Sequence, residues 1–237
     1  MKKVLHAANT RGHANHGWLN TYHSFSFANY NNPERMNFGV LRVLNDDEVA
    51  AGMGFSTHAH QNMEIISIPM EGDLEHKDSL GNTTVIKQGD IQVMSAGTGV
   101  QHSEKNSNRD RKVKFLQIWI IPKAPNLAPK YDQITLNKDD LQIRFQQILS
   151  PNPEDEGVWI YQNAWCYMGE FHGKKEFVYK LNNAANGVYI FILEGSCAVN
   201  DQLLQRRDGY GLWETQVINF SVSDYSKILL IEIPMSN

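Results

Sequence analysis

The sequence is short of almost everything that marks a disulfide scaffold, a membrane protein or a nucleic-acid binder. Only two cysteines occur in 237 residues, Cys166 and Cys197. Neither belongs to a CxxC pair, which argues against a disulfide framework or a zinc ribbon and fits a reducing compartment. No apolar run approaches the roughly 18 residues that span a bilayer. The first residues, MKKVLHAANTRGHANHG, have a charged start and no apolar h-region, so a secretory signal is not expected and a cytoplasmic setting is. Lys and Arg total 22 against 26 Asp and Glu, a net charge of −4. The one basic cluster, the interrupted RDRKVK of Arg109–Lys114, reads as a solvated loop running into a strand. The basic footprint that nucleic acid or an anionic membrane requires is missing, so neither is expected as a partner.

Sustained 3.6-residue periodicity is also missing. What is present is strand signal: FGVLRVL (Phe38–Leu44), EIISIPM (Glu64–Met70), VKFLQIWII (Val113–Ile121), GVYIFILEG (Gly187–Gly195) and KILLIEI (Lys227–Ile233). These are β-branched or aromatic runs, bounded mostly by Gly, Asn, Asp or Pro, and turn signals recur between them. With 41% hydrophobic residues a substantial core can form. The pattern predicts an all-β sandwich or barrel. NKDDLQIRFQQILS (Asn137–Ser150) is the nearest approach to a helix and reads equally as a strand with a polar start. KAPNLAPKYDQ (Lys123–Gln133), with two prolines, reads as a connector between halves, and SPNPEDEG (Ser150–Gly157) as a loop.

A faint internal repeat supports two halves. IISIPMEGDLEH and YIFILEGSCAVN each run apolar strand, Glu-Gly, strand. A Gly89-Asp90 turn follows in the first copy, and Asp208-Gly209, in reversed order, in the second. Eight of the nine histidines fall in the first 102 residues. Counting from the two Glu-Gly pairs places Leu181 and Asn183 where the first half has His58 and His60. The second half keeps only His172, which reads as a lone structural hydrogen-bonder.

His58 and His60 are the chemical signal. On a strand, residues i and i+2 face the same way, so both imidazoles project together. Two buried imidazoles without partners would leave ring nitrogens unsatisfied, and a metal ion resolves that. His102 and Glu104 repeat the spacing further along. Three imidazoles and a carboxylate leave two positions of an octahedron open, which suits Fe(II) and other redox-capable first-row metals rather than structural zinc.

The segment Gly52–Glu64 resembles the first cupin metal motif, Gly-x5-His-x-His-x3-Glu. The first half is also similar to the pirin family, through HGWLNTYHSFSFANY, FGVLRVLNDDEVAAGMGFSTHAHQNMEIISI, EGDLEHKDSLGN, GDIQVMSAGTGVQHSEKN and FLQIWI. These stretches span roughly residues 16–121, and the C-terminal half matches only loosely. The second cupin motif is met by Gly99, His102 and Asn106 but departs at its opening, where Gly97 replaces the usual Pro. The resemblance implies a bicupin of two tandem β-barrels, with an N-terminal metal-bearing barrel (1–128) and a degenerate C-terminal barrel (129–237). It implies one divalent metal ion, Fe(II) first with Ni, Co, Mn, Cu and Zn as alternatives, on His58, His60, His102 and Glu104. Glu64, the usual cupin ligand, becomes a partner that orients a ligand imidazole. Glu104 is either a base or only a ligand. His76, His23 and Trp18 are candidate pocket residues.

The activity implied is quercetin 2,3-dioxygenase: O2 and a small aromatic substrate, ring opening, and release of carbon monoxide, in a monomer. Two other readings stay open. One is a non-catalytic iron- or redox-responsive regulator that binds a protein partner, as animal pirin is described. The other is a metabolite-binding cupin without turnover.

Overall fold

The computed structural model describes residues 1–236, and almost all of its regular structure is strand. The first half builds two sheets. Seven strands lie in the order Lys130–Thr135, Asp90–Ser95, Glu64–Glu71, Val113–Ile120, Leu41–Val49, Leu19–His23 and Gly12–Asn15. Four more lie in the order Gly54–His60, Val100–Asn106, Leu74–Asp78 and Thr83–Ile86. The second half repeats this plan. Lys2–His6, Gly209–Trp213, Asn186–Val199, Tyr225–Pro234, Trp165–His172, Gln146–Ser150 and Val158–Trp159 form the long path. Lys175–Lys180, Val217–Val222, the far end of Asn186–Val199 and Gln202–Gln205 occupy the places of the four-stranded sheet. This is the all-β bicupin architecture expected. No helix among the described residues is long and apolar enough to cross a membrane.

The two large sheets pack against each other. Ile66, Ile68, Ile91, Val93, Leu116 and Ile118 share one buried cluster with Tyr189, Phe191, Leu229, Ile231 and Ile233. A strand buried on both faces reads as a continuous apolar run, and this explains EIISIPM, whose first six residues are all buried. Leu41–Val49 shows the other pattern. Val43, Asn45, Asp47 and Val49 are buried while Asp46 and Glu48 are not, the period of two that turns one face inward.

The pairing crosses residue 128 twice. Lys2–His6 pairs with Gly209–Trp213 in the second half, and Lys130–Thr135 pairs with Asp90–Ser95 in the first. Each half thus supplies an edge strand to the other, and only the first part of KAPNLAPKYDQ is irregular. Its prolines, Pro125 and Pro129, end where the strand begins, so the N–H groups from Lys130 onward are free to join the ladder. Asn137–Ser150 contains both of its alternatives. Asn137 caps a short helix, Lys138–Ile143, and the strand Gln146–Ser150 follows.

The repeat is genuine at the level of backbone. Gly72 and Gly195, the glycines of the two Glu-Gly pairs, have φ of 75° and 73°, and a Cβ on Gly195 would collide with the Tyr225 carbonyl. The later turn needs a correction. Gly89 has φ 95° and Arg207 φ 68°, and Lys87 N and Gln205 N each donate to the following aspartate, Asp90 and Asp208, at 2.9 Å. Gly89-Asp90 therefore matches Arg207-Asp208, and no reversal has occurred.

Candidate metal centre

Gly54–His60 and Val100–Asn106 run antiparallel, with His58 opposite His102 and His60 opposite Val100. Along the second strand, Val100, His102, Glu104 and Asn106 are buried and their neighbours more exposed. A bulge lies between His102 and Glu104, the kind of irregularity that re-aims a side chain. The ring centroids of His58, His60 and His102 lie 4.5–5.0 Å apart, and their ligand nitrogens all fall within 4.8 Å of one another.

The trio is prepared to donate lone pairs. His58 Nδ1–H donates to the Ser56 carbonyl at 2.8 Å, which fixes its tautomer and leaves Nε2 free. Burial, aided by the neighbouring imidazoles, lowers the pKa of His60 to about 4 and of His102 to about 3, so both rings are neutral. Both ring nitrogens of His102 are buried without a hydrogen-bond partner among the described residues. An unpaired buried nitrogen is costly, and a metal ion beside it removes the cost. The donor set therefore fits a divalent metal of borderline character, and no thiolate is present to make it a structural zinc site.

Glu104 lies among acceptor-seeking donors. Its Oε1 accepts from Ser67 Oγ at 2.8 Å and its Oε2 from Gln117 Nε2 at 2.5 Å. Gln117 Oε1 in turn accepts from Trp119 Nε1 at 3.2 Å. The carboxylate belongs to a second close group, with His76 and His102. His76 is fully buried. Its Nε2–H donates to Asp78 Oδ2 at 3.0 Å, while its Nδ1 has no partner and its ring centroid lies 5.3 Å from that of His102. Asp78 is itself held by the backbone N–H groups of Leu80 and Asn82.

A cavity of about 420 Å³ opens onto His58, His60 and Glu104, a size suited to a small organic ligand. Phe27, Tyr30, Phe55 and Trp119 supply its aromatic surface. A polar row, Thr21, His23, Asn45 and Asp47, faces it from the other wall. His23 lines the cavity, with Nδ1 2.9 Å from Asn45 Oδ1. Trp18 instead packs edge-to-face on Phe55, with centroids 5.4 Å apart.

Glu64 does not reach the imidazoles. Asn62, at φ 52°, breaks the chain between the His60 strand and the Glu64 strand, so the parity that would put both on one face is lost. Its Oε2 accepts from Ser95 Oγ at 2.5 Å, on the side facing Lys130 and Tyr161. Burial pushes its pKa up to about 7.

The count that matched Leu181 and Asn183 to the histidine pair is off by two. His102 lies opposite His58, and Glu104 opposite His76. In the same places of the second half Ile218 lies opposite Tyr179, and Phe220 opposite Val199. His58, His60, His102, Glu104 and His76 therefore correspond to Tyr179, Leu181, Ile218, Phe220 and Val199, all packed in one apolar cluster. His172 is exposed, beside Glu170 and Tyr225. The second half has the frame of the site with its donors replaced by four apolar side chains and Tyr179, whose hydroxyl donates to Glu232.

Thr21, Asn45, Asp47, Ser67 and Gln117 carry no motif and escape a sequence reading. A signal exists, since Asn45 and Asp47 are polar residues at positions that alternate in phase with the buried Val43 and Val49, and Gln117 interrupts an apolar run.

Two cupin-type halves, one with a histidine-rich donor set and one without, define the class of the molecule. A family profile described as Pirin matches residues 4–120, and one described as Quercetinase C-terminal cupin domain matches residues 147–233. A protein named quercetin 2,3-dioxygenase from Escherichia coli is 39% identical over 97% of this chain and 98% of its own. A putative quercetin 2,3-dioxygenase of Pseudomonas aeruginosa is 40% identical over 94% and 95%. The crystal structure of the bacterial pirin YhhW of E. coli in complex with nickel(II) superposes with a TM-score of 0.93, at 38% identity, over 98% of this chain and 99% of that one. The chain belongs to the pirin family.

Proposed function

We propose that the protein is a metal-dependent dioxygenase that opens flavonols such as quercetin across the 2,3 bond and releases carbon monoxide. The division of labour drawn from the sequence is retained: residues 1–128 hold the reactive site and residues 129–237 the degenerate half. The observation that carries the reading is the clustering of His58, His60 and His102, with His58, His60 and Glu104 lining an aromatic-walled cavity of about 420 Å³. His58, His60, His102 and Glu104 would hold the ion, Fe(II) first among the candidates, and the nickel in the related YhhW structure supports a first-row metal. When bound, the metal supplies Lewis acidity and a redox-capable centre for O2 chemistry.

The protein's own residues do the rest. Ser56 orients His58, and the Asp78–His76 pair stands beside His102, with ring centroids 5.3 Å apart and His76 Nδ1 left as an unpartnered acceptor. Ser67 and Gln117 hold Glu104. Phe27, Phe55 and Trp119 offer stacking and edge surface to a flat aromatic ring and exclude water around it.

The test is turnover by protein reconstituted anaerobically with Fe(II) and, separately, Ni(II), then exposed to O2 and quercetin. Loss of flavonol absorbance with release of carbon monoxide, both abolished in His58→Ala, supports the reading. Equal loss of quercetin in both proteins assigns the chemistry to free metal. A metal-replete protein that releases no carbon monoxide contradicts it and favours the iron-responsive regulator.

A further inference from the structure

Opening a flavonol requires its hydroxyl to lose a proton, because the anion is the form that reacts with O2. Glu104 is poorly placed to take that proton. Both of its oxygens already accept hydrogen bonds, from Ser67 and Gln117, and it is assigned to the ion. A second carboxyl faces the same cavity. Asp47 is 4% exposed and lines the cavity together with His58, His60 and Glu104. Its Oδ1 accepts from Thr21 Oγ1 across the neighbouring strand. Among the described residues no hydrogen bond engages its Oδ2.

Asp47 also lacks a cation. Facing it are Thr21 and His23 from Leu19–His23, Phe115 and Gln117 from Val113–Ile120, and His58, His60 and Glu104 across the cavity. On its own strand, Asp46 is turned outward to Arg11 and Arg207. Burial, with the Glu104 and Asp46 charges adding to it, raises the Asp47 pKa to about 7. A buried carboxyl with one donor and no counter-charge costs stability, and such groups concentrate where proton transfer is needed.

We propose that Asp47 is the general base of the reaction, accepting the flavonol hydroxyl proton on Oδ2 while Thr21 holds Oδ1, and that Glu104 acts only as a ligand. The O–H bond breaks, its electron pair stays on the substrate oxygen, and Asp47 becomes the neutral acid. His23 and Asn45, beside it on the same wall, offer polar partners to the remaining ring hydroxyls. The site would therefore prefer aromatics that carry an acidic hydroxyl on the ring to be opened.

This rests on the oxygenase reading, so the test separates the two. Quercetin is titrated without O2 into metal-loaded protein near pH 8, above the Asp47 range, with its anion absorbance and the protons released to buffer both recorded. Wild type should form the anion with almost no net proton release, because the negative charge of the bound anion raises the Asp47 pKa above the buffer pH and the carboxyl keeps the proton. Asp47→Asn, at unchanged metal content, should either bind the neutral flavonol or release about one proton for each anion formed. In turnover, kcat should fall by about 10²–10⁴-fold with KM changed far less, and Asp47→Glu or added formate should restore part of it. Wild type that releases a full proton to buffer, or Asp47→Asn that matches it in both readouts, overturns the assignment. Wild type that keeps the proton but releases no carbon monoxide on admission of O2 overturns the oxygenase reading and leaves Asp47 as the acceptor.

Discussion

His58 and His102 stand directly opposite each other on paired antiparallel strands, with ring centroids 4.5 Å apart. One nitrogen of His58 is committed to a backbone carbonyl, and neither nitrogen of His102 is committed to anything. The pair is a donor set with its energetic debt left open, and this asymmetry decides what substitution at His102 should do.

His102→Leu should remove metal binding and, with it, metal-dependent stabilisation. A ligand that binds only the folded state at 100 times its Kd adds about 2.7 kcal/mol. Thermal unfolding with and without Ni(II) should show an upward shift in wild type and none in the variant. Without metal the variant should unfold no earlier than wild type, because two unpaired buried nitrogens are replaced by apolar surface.

Asp78→Asn should weaken metal binding while leaving the cavity walls intact. Asp78 fixes the His76 tautomer, and with it the placement of a ring packed 5.3 Å from His102 and grouped with His102 and Glu104. Loss of such outer partners costs about 10–100-fold in metal affinity. Competition against a chelator of known affinity measures it, and unchanged affinity would reduce the His76–Asp78 pair to packing.

Glu64→Gln should make the protein more stable at pH 8 and leave it unchanged near pH 4. The folded pKa, about 7, lies above the unfolded value of 4.5, so the folded state binds more protons between them. Stability of wild type therefore falls as pH rises through that window, and the full penalty is present above it. Gln still accepts from Ser95 and carries no charge to desolvate. A gain on the order of 2 kcal/mol at pH 8, read from urea unfolding at several pH values, is expected.

Glu232 tests the second half. Its buried carboxylate accepts from the Tyr179 hydroxyl, the backbone N–H groups of Asn182 and Asn183, and the Asn182 and Asn186 side chains, at 2.5–3.0 Å. Glu232→Ala strands those donors, so a loss of about 3–5 kcal/mol in unfolding free energy is expected. Activity per folded molecule should not change, since the carboxylate lies outside the cavity that meets the histidines.

The histidine pairs were legible because a spacing of two on a strand fixes which face a side chain takes, with no knowledge of the partner strand. The failures share one cause. Glu64 falls within the His-x-His-x3-Glu spacing, but the left-handed backbone of Asn62 ends the strand between it and His60. The second-half equivalents of His58 and His60 were counted from Gly195, but the chain between Lys175–Lys180 and Asn186–Val199 is not a copy of that between Gly54–His60 and Glu64–Glu71. Asp47 and Gln117 come to the site through register between strands distant in sequence, which local pattern does not encode. The exchange of edge strands at Lys2–His6 and Lys130–Thr135 is hidden for the same reason.

The most direct test of the account is anomalous scattering at the metal edge from crystals of the metal-loaded protein. One peak at about 2.0–2.2 Å from nitrogens of His58, His60 and His102 and an oxygen of Glu104, with none in the second half, is the result predicted. A peak seated instead among His76, His102 and Glu104 with His58 and His60 free, or one bound by residues beyond 128, would contradict it.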